Sequence, residues 1–180
     1  MIVFITGGAK NGKSSYAQRL AVELAQGGPR YYIATMIPTD EEDRQRIRRH
    51  IADRDGMGFE TLERGRDILA CLSQADPSGS FLLDSVTALL MNEFFVPPDY
   101  SVNPGAGEKC ARELVQLARS VRNIVLVSDY IYSDAARYDE VTEGYRRALA
   151  FIDRQLAAVS DVVLELSGGN IIVHKGDFQP

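Results

Sequence analysis

An α/β fold, with a mostly parallel sheet flanked by helices and closed by a C-terminal antiparallel hairpin, is predicted by three features of the chain. The first is Gly7-Gly8-Ala9-Lys10-Asn11-Gly12-Lys13-Ser14, which has the G-x-x-x-x-G-K-S spacing of a phosphate-binding loop (P-loop). It lies between a β-branched run at 2–6 and a helical pattern at 15–25, so the glycines stand between a strand end and a helix start. The second is the succession of short apolar runs and amphipathic segments that follows. The third is a pair of apolar runs, 162–166 and 171–174, joined by Ser167-Gly168-Gly169-Asn170, the signature of a hairpin.

The loop carries the chemistry. Glycines let consecutive backbone N–H groups turn inward as an anion nest, and the helix start adds unpaired donors and the positive end of its dipole. Lys13 is placed to reach the β- and γ-phosphates, and the Ser14 hydroxyl to ligate Mg²⁺. This predicts a nucleoside triphosphate without naming its base or the acceptor.

At 180 residues one domain over 1–180 is expected, with room for a substantial core. The net charge of −5 argues against a general nucleic-acid binder. No apolar run is long enough to span a bilayer, since Asp84 and Asn92 interrupt the best candidate. A start directly in a core strand leaves no room for a signal peptide. Cys71 and Cys110, far apart and without CxxC spacing, read as reduced core residues of a cytosolic protein.

In chain order, Gly27-Gly28-Pro29 is a stop and turn, and 30–35 a second strand ending in Thr35. Ligands of open α/β sheets gather beyond strand carboxyl ends, so Thr35 is a candidate site residue as well as a loop start. Thr39-Asp40-Glu41-Glu42 reads as a capping box opening a helix to about residue 53. Asp40 with Arg44, and Glu42 with Arg46, have the spacing of helical ion pairs. Ile47 and Ile51 are nearly the only apolar residues there, so the helix is expected to pack lightly and to move. Arg46, Arg49, His50 and Asp53 fall on one face of it. That face reads either as solvated charge or as arginines holding phosphates beside a histidine that acts as nucleophile or acid/base.

A short strand is expected at 59–62, a helix at 66–75 with Ile68, Leu69 and Leu72 inward, and a turn at 77–79. Phe81-Leu82-Leu83-Asp84-Ser85 is an apolar strand ending in an acid, the Walker B pattern, in which Asp84 would hold Mg²⁺ directly or through water. A helix follows from 86 to about 95, carrying Thr87 and Asn92, for which the bland alternative is helix-surface polarity. Residues 97–107 read as the longest irregular stretch, a lid or a connector. A helix at 108–121, a strand at 124–128, a polar tyrosine-bearing loop at 129–140 suited to meeting a substrate, and a helix at 141–159 with Ala148, Phe151, Ile152 and Leu156 inward complete the α/β part. His174 falls in an edge strand with no catalytic case.

Several of these stretches resemble one family. The loop preceded by Thr6, Tyr32-Ile33-Ala34-Thr35, Arg46-Ile47-x-x-His50 and Leu82-Leu83-Asp84-x-x-Thr87-x-x-x-x-Asn92 are similar in order and spacing to the bifunctional adenosylcobinamide kinase/adenosylcobinamide-phosphate guanylyltransferases of cobalamin synthesis. The resemblance implies a cytoplasmic enzyme with a RecA-like P-loop fold, often a homo-oligomer such as a trimer. It implies two reactions of a corrinoid: phosphorylation of adenosylcobinamide by ATP or GTP, then transfer of GMP from GTP through a guanylyl-histidine, which His50 matches. Arg46 and Arg49 would hold nucleotide phosphates. The chain departs from the family pattern after His50, where Arg54 is followed by Asp55 and Phe59 stands at the aromatic position. It departs again at Ser128-Asp129-Tyr130-Ile131, where the family commonly has Asn-Glu-Val-Gly. Two other readings of the residues stay open: a P-loop kinase of another small metabolite, and a nucleotide-binding regulatory protein.

Overall fold

The computed structural model describes residues 1–178. Its strands are β1 (Ile2–Gly7), β2 (Arg30–Ala34), β3 (Glu60–Glu63), β4 (Ser80–Asp84), β5 (Phe95–Val96), β6 (Ser101–Val102), β7 (Asn123–Val127), β8 (Val162–Ser167) and β9 (Asn170–Lys175). The helices are α1 (Lys13–Ala25), α2 (Glu41–Asp53), α3 (Val86–Phe94), α4 (Ala106–Ser120) and α5 (Glu140–Val159). Seven strands join in one sheet of order β3-β2-β4-β7-β1-β8-β9, and β5 with β6 makes a separate two-stranded hairpin. All neighbours in the large sheet run parallel except β8 and β9, which form the expected terminal hairpin.

Alternation along the strands builds two cores. Val3, Ile5, Leu82, Val125 and Val127 point to one face and meet Ala17, Leu20 and Ala21 of α1. Phe4, Ile33, Phe81, Leu83, Ile124 and Leu126 point to the other and meet α3, α4 and α5. The central strands are therefore covered on both sides, as a parallel sheet requires. Each fully buried side chain of the Phe81-Leu82-Leu83 run contributes roughly 1.5–3 kcal/mol of burial. Cys71 and Cys110 are free and buried, and burial pushes their thiols up to about 11 and about 12.

Helix α2 belongs to neither core, because none of its residues is buried. Its N-terminus lies one residue beyond the predicted box. Asp40 is the N-cap and accepts from the Asp43 N–H, while the Asp43 carboxylate reaches back to the Thr39 N–H and hydroxyl. Asp caps as well as Thr, so Asp40 takes the cap and Asp43 closes the return bond on Thr39. With Asp40 committed to capping, the ion pairs of the helix are Glu41 with Arg44 and Arg48 rather than Asp40–Arg44 and Glu42–Arg46.

Other expectations are corrected by packing. The predicted helix at 66–75 is a 3₁₀ segment, Ile68–Ser73, with Ile68 and Cys71 inward; three residues per turn stack positions 68 and 71. The stretch 97–107 is not wholly irregular, since it contains β6 and the start of α4. In α5 the buried positions are Tyr145, Arg146, Leu149, Ile152, Asp153 and Leu156, while Ala148 and Phe151 pack at the margin.

Candidate active site

The carboxyl ends of β1, β4 and β7 lie side by side, and the phosphate-binding loop leaves the first of them. Two backbone constraints shape the loop. Gly7 has φ 156°, and a Cβ there would lie 2.4 Å from the Leu166 carbonyl oxygen, so only glycine lets β1 run this close to β8. Gly12, at φ 82°, is the left-handed N-cap that turns the chain into α1. Asn11 ties the loop to β8 through its side-chain amide, 3.2 Å from the Leu166 carbonyl.

Lys13 is 5% exposed although charged. Its ammonium lies across the loop, donating to the Gly8 carbonyl and to an Asp129 carboxylate oxygen, each at 2.6 Å. Ser14 follows it on the first turn of α1. Together Ala9, Lys10, Asn11, Gly12, Lys13 and Ser14 form one wall of a cleft of about 430 Å³. Asp84, Ser85 and Asp129 supply its floor, and Glu42, Arg46, Arg49, His50 and Asp53 of α2 the opposite wall. The helical face predicted from spacing is therefore turned toward the loop. His50 also lines a second, more apolar cleft of about 550 Å³ with Tyr32, Ile37, Ile47, Ile51, Arg54 and Arg64. Met36, His50, Asp84 and Ser85 border both.

Of the predicted residues, Gly7, Gly8 and Thr35 stand behind this surface. Thr35 is fully buried; its hydroxyl donates to the Ser85 carbonyl and accepts from the Ser85 N–H, both at 2.8 Å. It acts on the site through the end of β4 rather than by facing the cleft. Thr87 and Asn92 are not surface polarity. The Thr87 hydroxyl accepts from the Asp129 N–H, and the Asn92 amide donates to the carbonyls of Thr35 and Gly65. These bonds hold the strand ends together.

Asp84 accepts from the Tyr32 hydroxyl through Oδ2 at 3.1 Å. Burial and the neighbouring Asp84 carboxylate raise the Tyr32 phenol, so it remains a donor. The Tyr32 ring in turn carries the Arg54 guanidinium, 4.2 Å from its centroid. The end of α2 is thereby connected to Asp84.

The donor set suits Mg²⁺. The Ser14 hydroxyl and the Asp84 carboxylate are hard oxygen donors that line the same cleft, and Oδ1 of Asp84 is outside the Tyr32 bond. Among the described residues no group of three or more His, Cys, Asp or Glu could hold a metal without help. Mg²⁺ ordinarily takes one or two protein oxygens and completes its shell with phosphates and water.

Sequence reasoning gave Asp129 no role of its own, placing it at the head of a polar loop and in the stretch that departs from the family pattern. Its local signal was weaker than that of Asp84: Asp84 ends β4 itself, whereas Ser128 stands between Asp129 and the end of β7.

A family model described as cobinamide kinase / cobinamide phosphate guanyltransferase matches residues 3–173. The bifunctional adenosylcobalamin biosynthesis protein CobU of Salmonella typhimurium is 28% identical over 182 residues, covering 93% of this chain and 97% of the relative. Its Escherichia coli namesake is 27% identical with the same coverage. Among solved structures, an ATPase domain is similar with a TM-score of 0.55 at 11% identity, covering 99% of this chain and 78% of that one. A KaiC-like protein from Pyrococcus horikoshii is similar with a TM-score of 0.54 at 15% identity, covering 97% and 78%. The fold is that of a RecA-like P-loop NTPase.

Proposed function

The chain belongs to the cobinamide kinase / cobinamide phosphate guanyltransferase family, and from that premise we propose that it carries out both reactions of a corrinoid substrate. In the first, the hydroxyl of the aminopropanol arm of adenosylcobinamide takes the γ-phosphoryl group of ATP or GTP. In the second, a nitrogen of His50 attacks the α-phosphorus of GTP; a P–N bond forms, the α–β bridging P–O bond breaks, and pyrophosphate leaves. A phosphate oxygen of adenosylcobinamide phosphate then attacks the same phosphorus and displaces the imidazole, giving adenosylcobinamide-GDP. A covalent intermediate splits one difficult transfer into two easier ones.

The observation that carries this reading is that His50 faces the phosphate-binding loop across one cleft, flanked by Arg46 and Arg49. The loop N–H groups and Lys13 neutralise phosphate charge, and the arginines of α2 hold the phosphates from the other side. Ser14 and Asp84 would hold Mg²⁺, which when bound offsets charge on the phosphate oxygens.

The test uses GTP labelled at the α-phosphate. Incubation with Mg²⁺ is expected to leave an acid-labile, base-stable adduct on the protein, absent from His50→Ala and discharged by adenosylcobinamide phosphate. No label on the wild-type protein would overturn the guanylyl step, and label persisting in His50→Ala would remove His50 from it. Transfer of γ-label alone to some other acceptor would make the protein a kinase of another metabolite.

A further inference from the structure

The Lys13–Asp129 pair is not explained by the roles assigned so far. Asp129 lies two residues past Val127, the partner of Asp84 in the β4–β7 register. It therefore stands roughly 6–7 Å further along the strand direction than Asp84, beyond the carboxyl end of β7. Its backbone is held in place: Ser128 N–H donates to Ile5, Tyr130 N–H to Gly7, and its own N–H to Thr87 Oγ1. Its carboxylate lies 2.6 Å from the lysine that serves the β- and γ-phosphates and keeps 30% of its side-chain surface open. Asp84, by contrast, is bound from below by Tyr32.

We propose that Asp129 is the general base of phosphoryl transfer, held by Lys13 until a triphosphate competes for that ammonium. This rests on the kinase half of the proposed function. A triphosphate presents several anionic oxygens where Asp129 offers one carboxylate, so its binding draws Lys13 toward the β,γ-bridge and frees Asp129 beside the γ-phosphorus. The acceptor hydroxyl approaches from the open side. Its oxygen attacks the γ-phosphorus, its proton passes to an Asp129 oxygen, and the bond from that phosphorus to the β,γ-bridging oxygen breaks. The nucleoside diphosphate leaves with the electron pair, and Asp129 returns the proton to water. An acid freed only by nucleotide limits deprotonation of the acceptor to complexes that hold the phosphoryl donor.

The test is steady-state phosphorylation of adenosylcobinamide by γ-labelled ATP with wild type, Asp129→Asn and Asp129→Glu. Mg-ATP affinity is measured by equilibrium titration on the same preparations. The Asn variant is expected to lose about 10²–10⁴-fold in kcat, the range typical of a general base. It should bind Mg-ATP at least as tightly as wild type, because its lysine is released, and Asp129→Glu should recover part of the turnover. An Asn variant within about threefold of wild-type kcat overturns the proposal, since a base contributes far more. So does a loss of affinity that parallels the loss of turnover, which would make Asp129 a holder of metal or nucleotide. A wild-type protein that labels no corrinoid defeats the kinase reading itself, whereas wild-type transfer with an unimpaired Asn variant removes Asp129 alone.

Discussion

Lys13 shows how a residue proposed to contact phosphate is also tied into the fold. From the motif alone its side chain is a phosphate contact. In the structure it is buried against Gly8 and Asp129, so truncation removes the proposed phosphate donor and an ion pair together. Lys13→Ala is expected to lower triphosphate turnover by about 10²–10³-fold, as loss of one preorganised donor does. The circular dichroism spectrum should be unchanged, because Asp129 is partly exposed and water can take the place of the ammonium. Unaltered turnover in that variant would remove the loop from the reaction.

At the scale of an element, α2 is the unusual part. It carries His50 and the arginines, yet buries none of its residues. Among the contacts at its C-terminal end are the Arg54 guanidinium over Tyr32 and an Arg54–Thr61 hydrogen bond of 3.1 Å. Helices without buried faces draw little stability from packing and open locally at small cost. Arg54→Ala removes a cation–π contact and a hydrogen bond, together about 1–2 kcal/mol. Amide exchange in the second half of α2 should accelerate about 5–30-fold, with α1 and the central strands unaffected. Equal rates in variant and wild type would mean that α2 is held elsewhere. The 3₁₀ segment makes the opposite case. There Lys109 joins Asp67, Glu93 and Glu113. Burial works against the lysine charge, but its hydrogen bonds to Glu93 and Asp67 raise its pKa overall. A sequence window holds only the Lys109–Glu113 pair of α4, since Asp67 and Glu93 come from separate segments.

For the whole molecule, the informative group is Asp153, 4% exposed beneath the sheet. Its Oδ2 accepts from the Tyr132 hydroxyl at 2.8 Å and its Oδ1 has no hydrogen-bond partner among the described residues. Burial raises its pKa from 3.8 to about 6. Between those values the folded protein keeps a proton that the unfolded chain has released, so unfolding gives up a proton and stability falls as pH rises. The contribution is fully present below about pH 4 and is lost through pH 6, with a limit of about 3 kcal/mol. Asp153→Asn keeps an acceptor for Tyr132 and removes the charge. Its advantage over wild type in urea unfolding should therefore be larger at pH 7 than at pH 4.5. An advantage that shrinks with rising pH would contradict the buried-carboxylate account.

The sequence by itself determined the elements whose chemistry is local: the loop at 7–14, the apolar strands, the terminal hairpin and the arginine–histidine face of α2. Such features depend on neighbours within a few residues, and periodicity or spacing records them. Only the tertiary structure decided which way that face turns, that Thr35 and Asn92 secure strand ends, and that Asp129 meets Lys13. Strand order decides these, because β7 enters the sheet between β1 and β4 and carries residue 129 to within 2.6 Å of residue 13. Contacts across more than a hundred residues leave no local pattern, so an acid just past an apolar strand could be linked to Lys13 only once its neighbours were known.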